Sequence, residues 1–111
     1  MPLTRQERSK LPNCYLDFYD KCQVKIPDRM FGLETPNTVP ILTLEAGWMM
    51  ERLGFPNFLN ETHFVFLMIN EHSFFYFQLG EEDPEVYFWS SRLRGSRLEG
   101  KLSDHLSSLQ D

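Results

Sequence analysis

Residues 63–89 read HFVFLMINEHSFFYFQLGEEDPEVYFW, and this stretch constrains the fold more than any other part of the chain. Three apolar, aromatic runs are parted by two polar breaks, Asn70-Glu71-His72-Ser73 and Gly80-Glu81-Glu82-Asp83-Pro84. The runs have the length and composition of strands. The breaks carry the Asn, Ser, Gly, Asp and Pro that turns require. The simplest object with this pattern is a three-stranded antiparallel meander. The runs His63–Ile69 and Phe74–Phe77 are almost continuously apolar, whereas a sheet wet on one face would alternate. The central strand is therefore expected either to be covered on both faces, or to be covered on one and to offer the other for binding.

Helices are expected on both sides of this meander. Leu11, Cys14, Tyr15, Phe18, Tyr19 and Cys22 recur at helical spacing behind Pro12, a residue suited to a first helical turn. Asn13, Asp17, Asp20 and Lys21 take the opposite face. A second helix is predicted over Leu44–Leu53 with Thr43 as N-cap. Gly54 sits where a left-handed residue would end it, and Pro56 follows. Its stripe of Ala46, Met49, Met50 and Leu53 is joined by a second one, Leu44 and Trp48. Core burial is the expectation for both Trp48 and Trp89, with partner anchoring as the alternative. Val24–Pro40, with three prolines, reads as an irregular connection packed through Ile26, Met30, Phe31 and Leu33. After Trp89 the chain turns basic and polar, an exposed loop or edge. A short last helix over Leu102–Leu109 places Leu102, Leu106 and Leu109 on one side and needs docking to be stable.

At 111 residues the chain makes one domain, 1–111, with a core within about 11–109. Its net charge of −5 is unevenly spread. Residues 1–29 carry six Lys/Arg against four Asp/Glu, residues 30–91 one against nine, and residues 92–111 four against three. A central acidic block disfavours direct nucleic-acid binding, which needs concentrated Lys and Arg. It favours a basic partner, although it serves plain solubility equally well. The polar start Met1–Lys10 lacks the apolar core of a signal peptide, and no apolar run reaches membrane-spanning length. Cys14 and Cys22, eight residues apart on one helix, are about 12 Å apart and too distant for a disulfide. A cytoplasmic protein with reduced thiols is expected. Asn60-Glu61-Thr62 matches a glycosylation acceptor, but Asn60 suits a turn as well.

Catalytic chemistry finds little support. No nucleophile elbow or phosphate-cradling glycine pattern is present, and His63, His72 and His105 are scattered. His63 is expected to open a strand and His105 to face solvent. A catalytic reading would need His72, Glu71 and Asp83 to share a pocket. The cysteines lack zinc-site spacing, so no metal and no cofactor is expected. The sharpest charged feature is Glu81, Glu82, Asp83 and Glu85. These carboxylates lack the alternating ligands of a calcium loop. They either meet a basic protein surface or keep an aromatic hairpin soluble. Together with Asn70 and Glu71 of the first turn, they are the candidate partner-binding residues.

The order of these segments resembles the SUKH superfamily. Leu11-Pro12 with Tyr15 and Phe18-Tyr19 is similar to its opening helix motif, LP-x-x-Y-x-x-F-Y. Ile26-Pro27-Asp28-Arg29-Met30-Phe31-Gly32 resembles a loop of one bacterial branch. Leu44-Glu45-Ala46-x-Trp48-Met49 and Leu53-Gly54-Phe55-Pro56 resemble that branch's middle helix. Phe64-Val65-Phe66 to Phe77, with Asp83-Pro84-x-Val86-Tyr87, resembles its hairpin. The chain departs from the pattern at Asn70-Glu71-His72, where relatives carry His-Gln-Gly, and at Gln23-Val24-Lys25. It also leaves almost no room for a helix before Leu11, so it looks N-terminally trimmed. The resemblance implies an α+β fold, a twisted antiparallel sheet with helices packed against it. It further implies a non-enzymatic protein-binding role, either as an immunity protein neutralising a toxin, a basic nuclease for instance, or as a general interaction module in a cytoplasmic complex. Trimming would also leave surface that a homodimer could bury.

Overall fold

The computed structural model describes residues 5–24 and 39–109, without the side chains of residues 22–24, 39–41, 70 and 109. Nearly all of the expected connection between the first two long helices, with Ile26, Met30, Phe31 and Leu33, lies outside the described residues. The fold is α+β. Four strands, β1 (His63–Asn70), β2 (Ser73–Gln78), β3 (Glu85–Ser90) and β4 (Gly95–Lys101), form one antiparallel sheet in the order β1-β2-β3-β4. Helices α1 (Arg5–Lys10), α2 (Asn13–Val24), α3 (Val39–Arg52) and α4 (Leu102–Leu109) surround it.

The register explains why the strands are so evenly apolar. Phe75 faces Phe88 and Phe77 faces Val86 across β2 and β3, while Phe74 faces Trp89 and Tyr76 faces Tyr87. Consecutive side chains point to opposite faces, so β2 places two rings on each side of the sheet. On the first face α2 and α4 cover Phe64, Phe66, Phe75 and Phe77. Tyr15 of α2 lies edge-on to Phe64 at 5.4 Å and 5.9 Å from Phe77, and Leu102 and Leu106 of α4 are buried beside them. On the second face Trp89 stacks on Phe74 at 5.3 Å and meets Phe55 edge-on at 5.3 Å. Offset and edge-on rings add about 0.5–1.5 kcal/mol per pair beyond their buried area. The central strand is thus covered on both faces, the first of the two expected arrangements.

The α2 face matches its pattern, with Leu11, Tyr15, Phe18 and Tyr19 buried, and α4 occupies its predicted span. Two expectations need correction. First, α3 starts at Val39, not at Leu44. Pro40 is tolerated in a first helical turn, where its missing N–H has no intrahelical partner. Thr43 therefore lies inside the helix, and its Oγ1 accepts the backbone N–H of Val65 at 3.0 Å. β1 is an end strand of the sheet, and α3 packs along it. Thr43 thus satisfies an amide that no neighbouring strand would reach, and an exposed sheet edge is closed. Second, the segment before Leu11 does hold a short helix, α1. Arg8 fastens it to α2 by a bidentate pair with Asp20, at 3.1 and 2.9 Å. The basic stretch after Trp89 agrees with its expectation of an exposed loop or edge: it is a turn over residues 91–94 followed by the edge strand β4.

At its other end α3 stops as expected. Gly54 has φ 86°, Phe55 N–H reaches Met50 O at 2.9 Å, and Gly54 N–H reaches Glu51 O at 3.1 Å. This is the Schellman pattern, which needs a left-handed residue at Gly54. A Thr43→Val substitution removes the acceptor for Val65 N–H while keeping the side-chain volume. It should lower unfolding stability by about 1–2 kcal/mol in a denaturant titration, with Thr43→Ser recovering most of the loss.

Candidate functional site

The two turns of the hairpins lie at opposite ends of β2. A six-residue strand spans roughly 20 Å, so the candidate residues fall into two separate groups. Asn70 ends β1 and pairs with Ser73, though its side chain lies outside the described ones. Glu71 and His72 form the exposed turn that follows, beside the turn that carries Arg92 and Arg94. Ser91 N–H donates to His72 O at 3.0 Å between these two turns. Glu81, Glu82, Asp83 and Glu85 lie at the far end. His72, Glu71 and Asp83 therefore share no pocket, and the acid–base set that a catalytic reading would need is not assembled.

The acidic group itself divides by role. Asp83 reaches across to the first turn of α4, where its Oδ1 accepts Ser103 N–H at 2.9 Å and its Oδ2 accepts Ser103 Oγ–H at 2.7 Å. These bonds, the backbone one first, hold the Asp83 carboxyl below the usual carboxylate range. A carboxylate at a helix N-terminus also meets the positive end of the helix dipole. Leu102 N–H donates to Pro84 O at 2.9 Å, so the same turn grips α4 twice. Glu85 lies 3.3 Å from Lys101 Nζ on the neighbouring strand. Asp83 and Glu85 are thus engaged within the fold.

Glu81 and Glu82 are exposed and make no ion pair among the described residues. They form one wall of an open groove of about 600 Å3 whose other walls are Ser9, Lys10 and Asn13 at the α1–α2 junction and Glu61-Thr62 before β1. Leu11, Pro12 and Leu79 line it with apolar surface. The groove exists because Leu79 N–H donates to Thr62 O at 2.7 Å, drawing the entry of β1 against the exit of β2. Asn60 shapes that entry: its Oδ1 accepts Thr62 N–H at 2.8 Å and Thr62 Oγ1–H at 2.6 Å. A smaller recess of about 220 Å3 continues toward Thr43, His63 and Phe64. Glu61 was not among the expected residues. Antiparallel pairing of the ends of β1 and β2 was the only sequence signal for it.

The two other histidines are half-buried. His63 opens β1 as expected, and its Nδ1 accepts Asn60 N–H at 3.2 Å. His105 departs from expectation. Instead of facing solvent it packs 4.7 Å from Phe75 and edge-on to Phe66 at 5.6 Å. Its place beside Leu106 on a docked eight-residue helix forces it inward. Burial lowers the pKa of both, for His105 against a smaller opposing pull from Glu99. The free thiol of Cys14, half-buried on α2, has its pKa raised by burial.

The tryptophans part company. Trp89 is core, but Trp48 is 58% exposed and Leu44, one turn earlier on α3, is 56% exposed. They form an apolar ridge, contrary to the expectation of burial for Trp48. The helix turns only its other stripe, Leu42, Ala46, Met49 and Met50, to the core.

Among the described residues, no group of three or more His, Cys, Asp or Glu could hold a metal ion, and no helix is long and apolar enough to cross a membrane. No protein-family model, no curated protein and no solved structure matches this chain at a significant level.

Two outcomes test these assignments. Asp83→Ala should cost about 1 kcal/mol, as loss of a helix-capping carboxylate does. Because its folded pKa is depressed, its contribution is full at neutral pH and is lost as pH falls through the ordinary carboxylate range to the folded value. The wild-type advantage over the variant should vanish in acid unfolding curves. His105 has a lowered folded pKa, so the unfolded chain binds its proton first. Stability should drop as pH falls below about 6.5. His105→Phe should make thermal midpoints less pH-dependent in this range, leaving His63 as the remaining half-buried imidazole.

Proposed function

We propose that this chain is a non-enzymatic, cytoplasmic protein-binding domain that docks a basic protein surface on its acidic groove. Its most economical biological form is an immunity protein that neutralises a cognate toxin by direct contact, as the resemblance to SUKH domains implies. The observation that carries the reading is the contrast within the acidic group. Asp83 and Glu85 are held by the fold, whereas the side chains of Glu81 and Glu82, with Glu61 across the groove, are exposed and make no ion pair among the described residues.

Charge so placed steers a basic partner and fixes its orientation, while most affinity must come from a few apolar anchors. The exposed Trp48 and Leu44 are the anchor candidates, because a large aromatic at a surface is a frequent hot spot and gives the core nothing. A basic nuclease toxin fits this chemistry, since its own site must attract phosphate. An interaction module in a regulatory complex would use the same surface and differ only in the partner.

Co-purification from the native host identifies that partner. Glu81→Lys with Glu82→Lys should then slow association and flatten its salt dependence in surface plasmon resonance, leaving the thermal midpoint within about 1 kcal/mol equivalent of wild type. Trp48→Ala should raise the dissociation rate by tenfold or more if the ridge is an anchor. Protection of cells expressing a captured toxin separates immunity from general scaffolding. Unchanged association kinetics in the double variant would remove the groove from the binding surface.

A further inference from the structure

The two ends of the sheet are treated differently. α3 closes the outer side of β1. β4 has β3 on one side and, among the described residues, no strand on the other. Its residues Ser96, Arg97, Leu98, Glu99 and Lys101 are exposed, and Leu98 is an aliphatic side chain left 56% in solvent. An open edge carrying an exposed leucine is a template for another strand.

The sequence of this edge selects its partner. If two copies of β4 pair antiparallel with Leu98 on the two-fold axis, Leu98 meets Leu98, Arg97 meets Glu99 of the second copy, Ser96 meets Gly100 and Gly95 meets Lys101. No like charges oppose one another. Shifting the axis to Arg97 or to Glu99 sets two like charges face to face, which destabilises a strand pair. Arg97 and Glu99 already share one face of the strand. Their side chains meet at 3.0 Å, and Arg97 lies over the Phe88 ring at 5.5 Å. Both charges therefore stand on the same face of the strand, where a partner strand would meet them. From Gly95 to Leu98 the pairing with β3 is regular; the irregularity falls at Glu99, which has no partner on β3 because Leu98 pairs with Tyr87 and Gly100, with its φ of 114°, pairs with Val86. With Arg97 and Lys101 against Glu99, the strand stands outside the central acidic block of residues 30–91, so the negative charge of the molecule opposes close approach less here than there.

We propose that β4 is a self-recognition edge, through which two copies of the chain join antiparallel about Leu98 into one continuous sheet. The interface is isologous, each copy offering the same patch to the other. It uses none of the groove residues Glu61, Glu81 and Glu82, so dimerisation and partner binding are separate properties with separate variants.

Sedimentation velocity over a concentration series tests the proposal. The wild-type chain should show a concentration-dependent dimer. Arg97→Glu alone, or Glu99→Arg alone, sets like charges across the axis and should yield monomer, with the circular-dichroism melt reporting that each chain is folded. An equimolar mixture of the Arg97→Glu chain with the Glu99→Arg chain restores one pair of opposite charges on each side of the axis. The mixture should regain the dimer, which repair of the intrachain Arg97–Glu99 contact cannot explain. Register is read by cysteine cross-linking. Residues opposed on antiparallel strands have Cα atoms roughly 4.5–5.5 Å apart, within disulfide range. Leu98→Cys should therefore cross-link to itself on mild oxidation much faster than Leu93→Cys in the exposed β3–β4 turn, with the native cysteines common to both. A wild-type monomer at all concentrations, single variants that still dimerise, a mixture that stays monomeric, or equal cross-linking at the two positions would each overturn it.

Discussion

The structure depends on one constraint: β2 must be dry on both sides. A strand that sends Phe74 and Tyr76 to one face and Phe75 and Phe77 to the other cannot leave either face to water without exposing two rings. The remaining elements answer that demand. Strands β1 and β3 flank β2 with further aromatics, α2 and α4 cover one face, and Phe55, from the segment after α3, packs against Trp89 on the other. Among the described residues, no buried side-chain nitrogen or oxygen lacks a hydrogen-bond partner, so the apolar layers close without stranding polar groups.

The same closure shapes the surface available for function. α4 is short and amphipathic, and a helix of eight residues does not persist alone in water. It is held by its leucines and by the β2–β3 turn, where Asp83 and Pro84 satisfy the first amides of the helix. That turn therefore has two tasks. Its later carboxylates stabilise the fold, and its earlier ones, Glu81 and Glu82, are free for electrostatics directed outward. A rim read as four equivalent charges becomes a two-residue surface feature with a third carboxylate, Glu61, opposite.

The sheet edges follow a similar division. At β1 a helix lies along the strand and a threonine hydroxyl takes up an outward amide. At β4 the protection is only side-chain charge and a bulge near Gly100. Edge strands are commonly guarded by such devices, yet here the charges alternate in sign about a leucine, an arrangement that repels an arbitrary strand less than it selects its own copy.

What the sequence determined by itself was local and periodic. Alternation too weak for a half-wet sheet left β2 either buried on both faces or buried on one with the other offered for binding, and the packing settled on the first. The spacing of Leu11, Tyr15, Phe18 and Tyr19 defined the buried face of α2, Gly54 marked the end of α3, and the Leu102–Leu109 pattern defined α4. These signals are legible because they arise between residues a few positions apart. Only the tertiary structure decided that Thr43 serves β1 rather than capping α3, and that His105 lies against Phe75. It alone left Trp48 outside, turned Asp83 inward to α4, and set Glu61 across a groove from Glu81. Each of these depends on segments roughly 20 or more residues apart in the chain being brought within hydrogen-bond or van der Waals reach, or, for Trp48, on which stripe of α3 the sheet needed. A side chain's type records what it can do. Its partner is chosen by the packing of the whole.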